Sequence, residues 1–131
     1  MNPEIEALIA AFYAAFDNRD ARAPAGEALR AMFGTTATIT RVAKDQADSW
    51  SPDAFIAPRV AMLTDGRLTE FHEWEVEART IVLANIASRW STYEKQGTLE
   101  GADYRGGGHK FIQMHRDGGR WLISSILWED T

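Results

Sequence analysis

A chain of 131 residues with a net charge of −5 and no cysteine has room for one domain and a buried core. It excludes disulfides, thiolate metal sites and cysteine nucleophiles. No Lys/Arg cluster offers a footing for a nucleic-acid backbone, and no apolar run approaches the roughly 18 residues of a membrane span.

The chain opens MNPEIEALIA, with acids where a signal peptide has a basic segment, so neither a leader nor a membrane partner is expected. Together with the missing cysteines this fits a cytoplasmic location. Asn2-Pro3-Glu4 is a helix start, with a capping amide, proline at the first position and acids near the positive end of the dipole. Ile5, Leu8, Ile9, Phe12, Tyr13 and Phe16 follow at helical spacing, and Asp17 to Asp20 ends the run. Pro24 to Phe33 predicts a second, shorter helix stopped by Gly34. Thr35 to Val42 alternates and is β-branched, hence a strand, with a polar turn and a return strand ending near Trp50. Ser51-Pro52-Asp53 starts a third helix. Pro58 inside it removes one hydrogen bond and is expected to kink it.

Four strands follow: Leu68 to Val82, Ile86 to Leu99, Tyr104 to Arg116, and Arg120 to Glu129. Asn85, Glu100-Gly101 and Asp117-Gly118-Gly119 supply the turns. Gly106-Gly107-Gly108 inside a strand predicts a bulge or bend. Helices first and strands afterwards argue α+β with an antiparallel sheet. Strands this long curl, so a cone with three helices across its concave face is expected.

Site chemistry by motif is sparse. His109 and His115 lie six residues apart on one strand, roughly 20 Å, and do not chelate one ion together. His72 and Glu73 point to opposite faces. Neither a metal nor a cofactor is expected. The glycine cluster precedes a strand, not the helix N-terminus that would hold a phosphate.

The element order resembles the nuclear-transport-factor-2-like superfamily, which includes ketosteroid isomerases and SnoaL-type polyketide cyclases. Phe71-His72-Glu73-Trp74, Ala87 to Tyr93, and Asp117 to Ile123 running on to Trp128-Glu129-Asp130 look most like its SnoaL-like branch. The resemblance implies a conical pocket between sheet and helices, and a homodimer through the convex sheet face. It also sets Arg41 where the isomerases carry their carboxylate base and Phe12 where they carry a donor tyrosine, which speaks against that particular activity.

Three successive carboxylates, Glu73, Glu75 and Glu77, belong in water, which turns His72 and Trp74 inward. The resemblance turns Ala87, Arg89, Ser91 and Tyr93 inward on the next strand, and Gln113 inward on the third, leaving Ile112 and Met114 towards a partner chain. Trp121 and Ile123 are expected in the core, with a bulge at Ser124-Ser125 able to change the parity beyond them. The candidate catalytic residues are therefore His72, as acid or base, and Arg89, which if buried needs either an acidic partner, Asp130 or Glu70, or a substrate carboxylate to hold. Tyr13, Trp50, Trp74, Tyr93, Gln113, Trp128 and Asp130 are the candidate ligand-binding residues. Two functions fit. One is a cofactor-free acid–base enzyme of isomerase, cyclase or hydrolase type acting on a small hydrophobic or aromatic substrate. The other is a non-catalytic binding or dimerisation module.

Overall fold

Asn2 caps the first helix in the computed structural model, which describes residues 1–131: its side chain accepts hydrogen bonds from the Glu4 and Ile5 amides. That helix, α1 (Pro3–Ala14), turns Ile5, Ile9, Phe12 and Tyr13 inward. The second helix, α2, is only Gly26–Ala31, shorter than expected because Phe33 and Gly34 already belong to a strand. Gly34 is needed there for close approach, not as a helix stop. A Cβ on it would lie 2.9 Å from the His115 ring.

Strands β1 (Phe33–Ala43) and β2 (Gln46–Trp50) form a hairpin, and α3 (Pro52–Thr64) follows, capped by Ser51. Pro58 sits within α3, which remains one continuous helix. The long strands are β3 (Leu68–Leu83), β4 (Ile86–Leu99), β5 (Ala102–Asp117) and β6 (Arg120–Asp130). They join β1 and β2 in one six-stranded sheet of order β2-β1-β6-β5-β4-β3. All neighbours are antiparallel except β1 and β6, which run parallel, so the sheet is mixed. The helices cover its inner face, and a cluster of 23 buried apolar residues fills the space between. No helix is long and apolar enough to cross a membrane.

Bulges decide which side chains face inward. β3 breaks register against β4 between Thr69 and His72, and again between Glu75 and Glu77. Glu70, at the first break, takes a left-handed backbone conformation with φ of 50°. An extra residue there reverses the alternation. The inner face of β3 therefore carries Phe71, Glu73 and Glu75, then Ala78 and Thr80 after the second bulge. On β6 the register shifts opposite Gln113/Met114, at the position flagged from Ser124-Ser125. Trp121 and Ile123 precede it on the inner face, and Ile126, Trp128 and Asp130 follow. The glycine cluster of β5 makes no bulge: Gly106, Gly107 and Gly108 pair in register with Lys95, Glu94 and Tyr93.

Candidate functional site

A cavity of about 370 Å³ opens between the inner face of the sheet, α1 and α3. Its wall is largely aromatic and aliphatic, including Phe16, Phe55, Met62, Phe71 and Trp128. Six charged side chains also reach it: Arg41, Arg59, Glu73, Lys95, Lys110 and Asp130.

Lys110 lies deepest. Its side chain is 7 % exposed and its Nζ donates to Glu73 Oε2 at 2.5 Å, Glu73 itself being 12 % exposed. The ammonium sits 3.6 Å from the centroid of the Tyr93 ring and 4.8 Å from that of Tyr13, so aromatic faces share its stabilisation. Burial pulls Lys110 below the ordinary lysine value, against the opposing pull of Glu73. A lysine held this way responds readily to its surroundings.

Nearer the solvent, Asp130 accepts from three directions. The Tyr93 hydroxyl donates to its Oδ1, and Lys95 Nζ and Arg41 Nη2 each approach at 3.3 Å. Burial pushes the Asp130 carboxyl up, but the Tyr93 hydrogen bond and the two cations outweigh it and hold the group below its usual value. Gly108 makes this contact possible, since a Cβ there would stand 2.7 Å from the Tyr93 hydroxyl.

Arg59, from α3, lies over the Phe55 ring at 3.9 Å, with Trp128 at 5.5 Å and Trp50 at 5.6 Å. Trp50 and Trp128 stack at 5.9 Å.

The structure revises several sequence-derived assignments. His72 and Trp74 do not line this cavity, because the Glu70 bulge turns them to the other side of β3. There they stack on each other at 4.5 Å beside a second cleft, between α1 and the edge strand β3. Burial and the nearby Arg19 push His72 below its ordinary value, and its Nδ1 is buried without a hydrogen-bond partner. Gln113 is exposed on the outer face, since Lys110, Ile112 and Met114 hold the inner parity of β5. Ile112 and Met114 are accordingly core residues, 0 % and 2 % exposed, and not available to a partner.

Arg89 does face inward, but neither Asp130 nor Glu70 is its partner. Its five N–H donors meet Glu75 twice, Glu6 twice and Thr80 once, at 2.5 to 3.2 Å. A guanidinium has five donors, so none is left for an anion. The Ser91 hydroxyl donates to Glu75 at 2.6 Å and in turn receives Tyr13, which fixes Tyr13 behind the cavity instead of in its wall. Of the expected binding residues, Tyr93, Trp128 and Asp130 reach the cavity, with Trp50 stacked beside it.

Glu73, Lys110, Lys95, Arg41 and Arg59 escaped the sequence reading as site residues. A signal existed for two of them. Lys110 shares parity with Ile112 and Met114, two apolar positions of its strand, and Glu73 shares parity with Phe71. For metal chemistry the site offers little, since no three His, Asp or Glu side chains converge.

No protein-family model and no curated protein sequence matches the chain. Solved structures do. A protein of unknown function with a cystatin-like fold from Nostoc punctiforme superposes with a TM-score of 0.72 at 18% identity, covering 98% of this chain and 90% of that one. A hexachlorocyclohexane dehydrochlorinase, LinA-type3, from Novosphingobium barchaimii gives 0.77 at 16% identity, covering 98% and 85%. A conserved protein from Planctomyces limnophilus gives 0.78 at 14%, covering 98% and 94%.

Proposed function

The chain has the nuclear-transport-factor-2-like fold, and from that premise we propose that it is a cofactor-free acid–base enzyme acting on a small, flat, largely apolar molecule held in the 370 Å³ cavity. The observation that carries this reading is the Lys110–Glu73 pair, buried at the inner end of an apolar pocket. An ion pair so placed is a poor device for stability, because desolvation offsets most of its attraction. It suits proton transfer. Glu73 takes a proton from carbon beside a carbonyl, and the Lys110 ammonium faces the negative charge that develops on the carbonyl oxygen. Returning that proton at a neighbouring position isomerises the substrate. Loss of an adjacent leaving group instead eliminates it. The dehydrochlorinase of the same fold fits this class of chemistry, though at 16% identity it speaks only for the scaffold.

Proton abstraction can be followed without knowing the natural substrate. The compound 2-tetralone, a flat ketone, is incubated with the protein in deuterated water and its α-hydrogens are followed by NMR. Faster exchange with the wild type than with Glu73→Gln supports the reading. Equal rates would leave a non-catalytic binding module as the better account.

The outer face of the sheet has no covering layer, and Ile81, Leu83, Ile86, Phe111 and Leu127 stand exposed on it. Phe111 pairs across the strands with both Trp90 and Leu127, giving a continuous apolar row. We assign this face to a second copy of the chain in a two-fold dimer. Sedimentation of the wild type at the mass of one chain would refute it.

A further inference from the structure

The charges around the cavity do not balance. Four cations line it, Arg41, Arg59, Lys95 and Lys110, against two carboxylates, Glu73 and Asp130. The chain as a whole carries −5, so this positive excess is local. Glu73 is committed to Lys110 at 2.5 Å. Asp130 is shared by Arg41 and Lys95, both at 3.3 Å, while also accepting from Tyr93.

Arg59 makes no ion pair. Its polar contact is a donation from Nη1 to the Phe55 carbonyl of its own helix, at 3.0 Å. The aromatic faces of Phe55, Trp128 and Trp50 favour a cation in front of them but accept none of its in-plane N–H groups. Burial and the neighbouring Arg41 both work against its charge. Arg59 is only partly buried and none of its nitrogens is sealed from solvent without a partner, so its unused N–H groups stay open to an anion entering the cavity. Arg41, still 43 % exposed, marks the solvent-facing end, and the apolar wall lies further in.

We propose that the ligand of this cavity carries a carboxylate, held by Arg59 and Arg41 at the solvent-facing end, with its flat apolar part among Phe16, Phe55, Phe71 and Trp128. The proposal rests on the reading of the cavity as a binding site and narrows the substrate to small aromatic or cyclic acids. Arg59 suits the task because a planar guanidinium meets a carboxylate through two parallel hydrogen bonds. Its cage of rings keeps the fork in place before the ligand arrives, which lowers the ordering cost of binding.

The test compares 2-naphthoate with its uncharged isostere 2-naphthamide by isothermal titration calorimetry on the full chain. Wild type is expected to prefer the acid by roughly tenfold. Arg59→Gln is expected to remove most of that preference, and its thermal melt reports whether it is folded. Equal affinity of wild type for both compounds overturns the carboxylate proposal and leaves the cavity a binding site. A preference that survives in folded Arg59→Gln overturns the assignment to Arg59. Binding of neither compound overturns the binding reading, and the proposal with it.

Discussion

Lys110 and Glu73 stand 37 residues apart in the chain and meet at 2.5 Å inside the fold. β5 and β3 do not touch each other in the sheet, and β4 lies between them. The pair therefore spans β4 above the Tyr93 ring, and each partner is the other's main charge compensation. Lys110→Met leaves a buried carboxylate without its cation and is expected to cost about 3 kcal/mol of stability. The double variant Lys110→Met/Glu73→Leu is expected to recover most of that loss, because two charges are then spared desolvation. Urea unfolding of both variants supplies the measurement. In the exchange assay the double variant is expected to stay inactive despite its restored stability. A double variant as unstable as the single one would mean that the pair holds the fold together in its own right.

The failures of the sequence reading trace to β3 and β5. The architecture was legible because helix caps at Asn2 and Ser51 and the alternation in β1, β4 and β6 all agree with the final packing. On β4 alternation alone leaves the two faces open, and the inward set implied by the resemblance, Ala87, Arg89, Ser91 and Tyr93, is the one seen. β3 was misread because alternation was carried through two bulges. The first is at Glu70, a residue type with no special liking for a left-handed backbone, so nothing local announces it. The glutamates then looked like a solvated face. Two of them in fact turn inward, Glu73 to Lys110 and Glu75 to Arg89, each making the other strand's buried cation acceptable. On β5 the resemblance turns Gln113 inward, which puts Lys110 on the opposite face, whereas Lys110, Ile112 and Met114 are the inward set. Buried charges come in pairs, and a pair joined across three strands is invisible until the register is known. Arg89 shows the converse: its inward direction was readable, but its partner Glu6 lies on α1, 83 residues away.

Tyr13 and Tyr93 give the protein an alkaline limit. Burial raises both hydroxyls well above the ordinary phenol value of 10.0, helped for Tyr93 by its hydrogen bond to Asp130 and opposed for Tyr13 by Ser91. Above about pH 10 the unfolded chain releases these protons and the folded chain keeps them, so the folded state binds more protons and stability falls as pH rises. The contribution is complete below about pH 10 and is lost above it. Lys110 works the other way, but only up to the ordinary lysine value of 10.5, so the fall is cleanest beyond that. The urea midpoint is expected to drop steeply above roughly pH 11, with a shallower drop in Tyr93→Phe. Phenolate absorbance from these two rings is expected to appear only as the protein unfolds. Full ionisation of all three tyrosines in the folded protein near pH 10 would contradict the buried hydrogen bonds assigned here.

Asn18 was read as part of a terminating loop, and it is 6 % exposed. Its Nδ2 donates to the Leu63 and Leu68 carbonyls at 2.9 and 2.8 Å, and its Oδ1 accepts from the Phe71 amide at 2.7 Å. The Asn18 amide also donates to the Phe71 carbonyl at 3.1 Å. One side chain thus joins the segment after α1 to the end of α3 and to both sides of the Glu70 bulge, where the backbone has left its ladder. Asn18→Ala strands two carbonyls and one amide in the interior and is expected to cost about 3 kcal/mol. Asn18→Asp keeps the acceptor for Phe71 but puts a carboxylate oxygen against two carbonyls, so it is expected to be no better. Leu63, Leu68 and Phe71 all line the cavity, and a loosened bulge lets the parity of Glu73 drift. Hydrogen exchange at the Phe71 amide is therefore expected to accelerate in Asn18→Ala alongside the lower urea midpoint. A variant with wild-type stability and an equally protected Phe71 amide would show that the bulge is held by β4 alone.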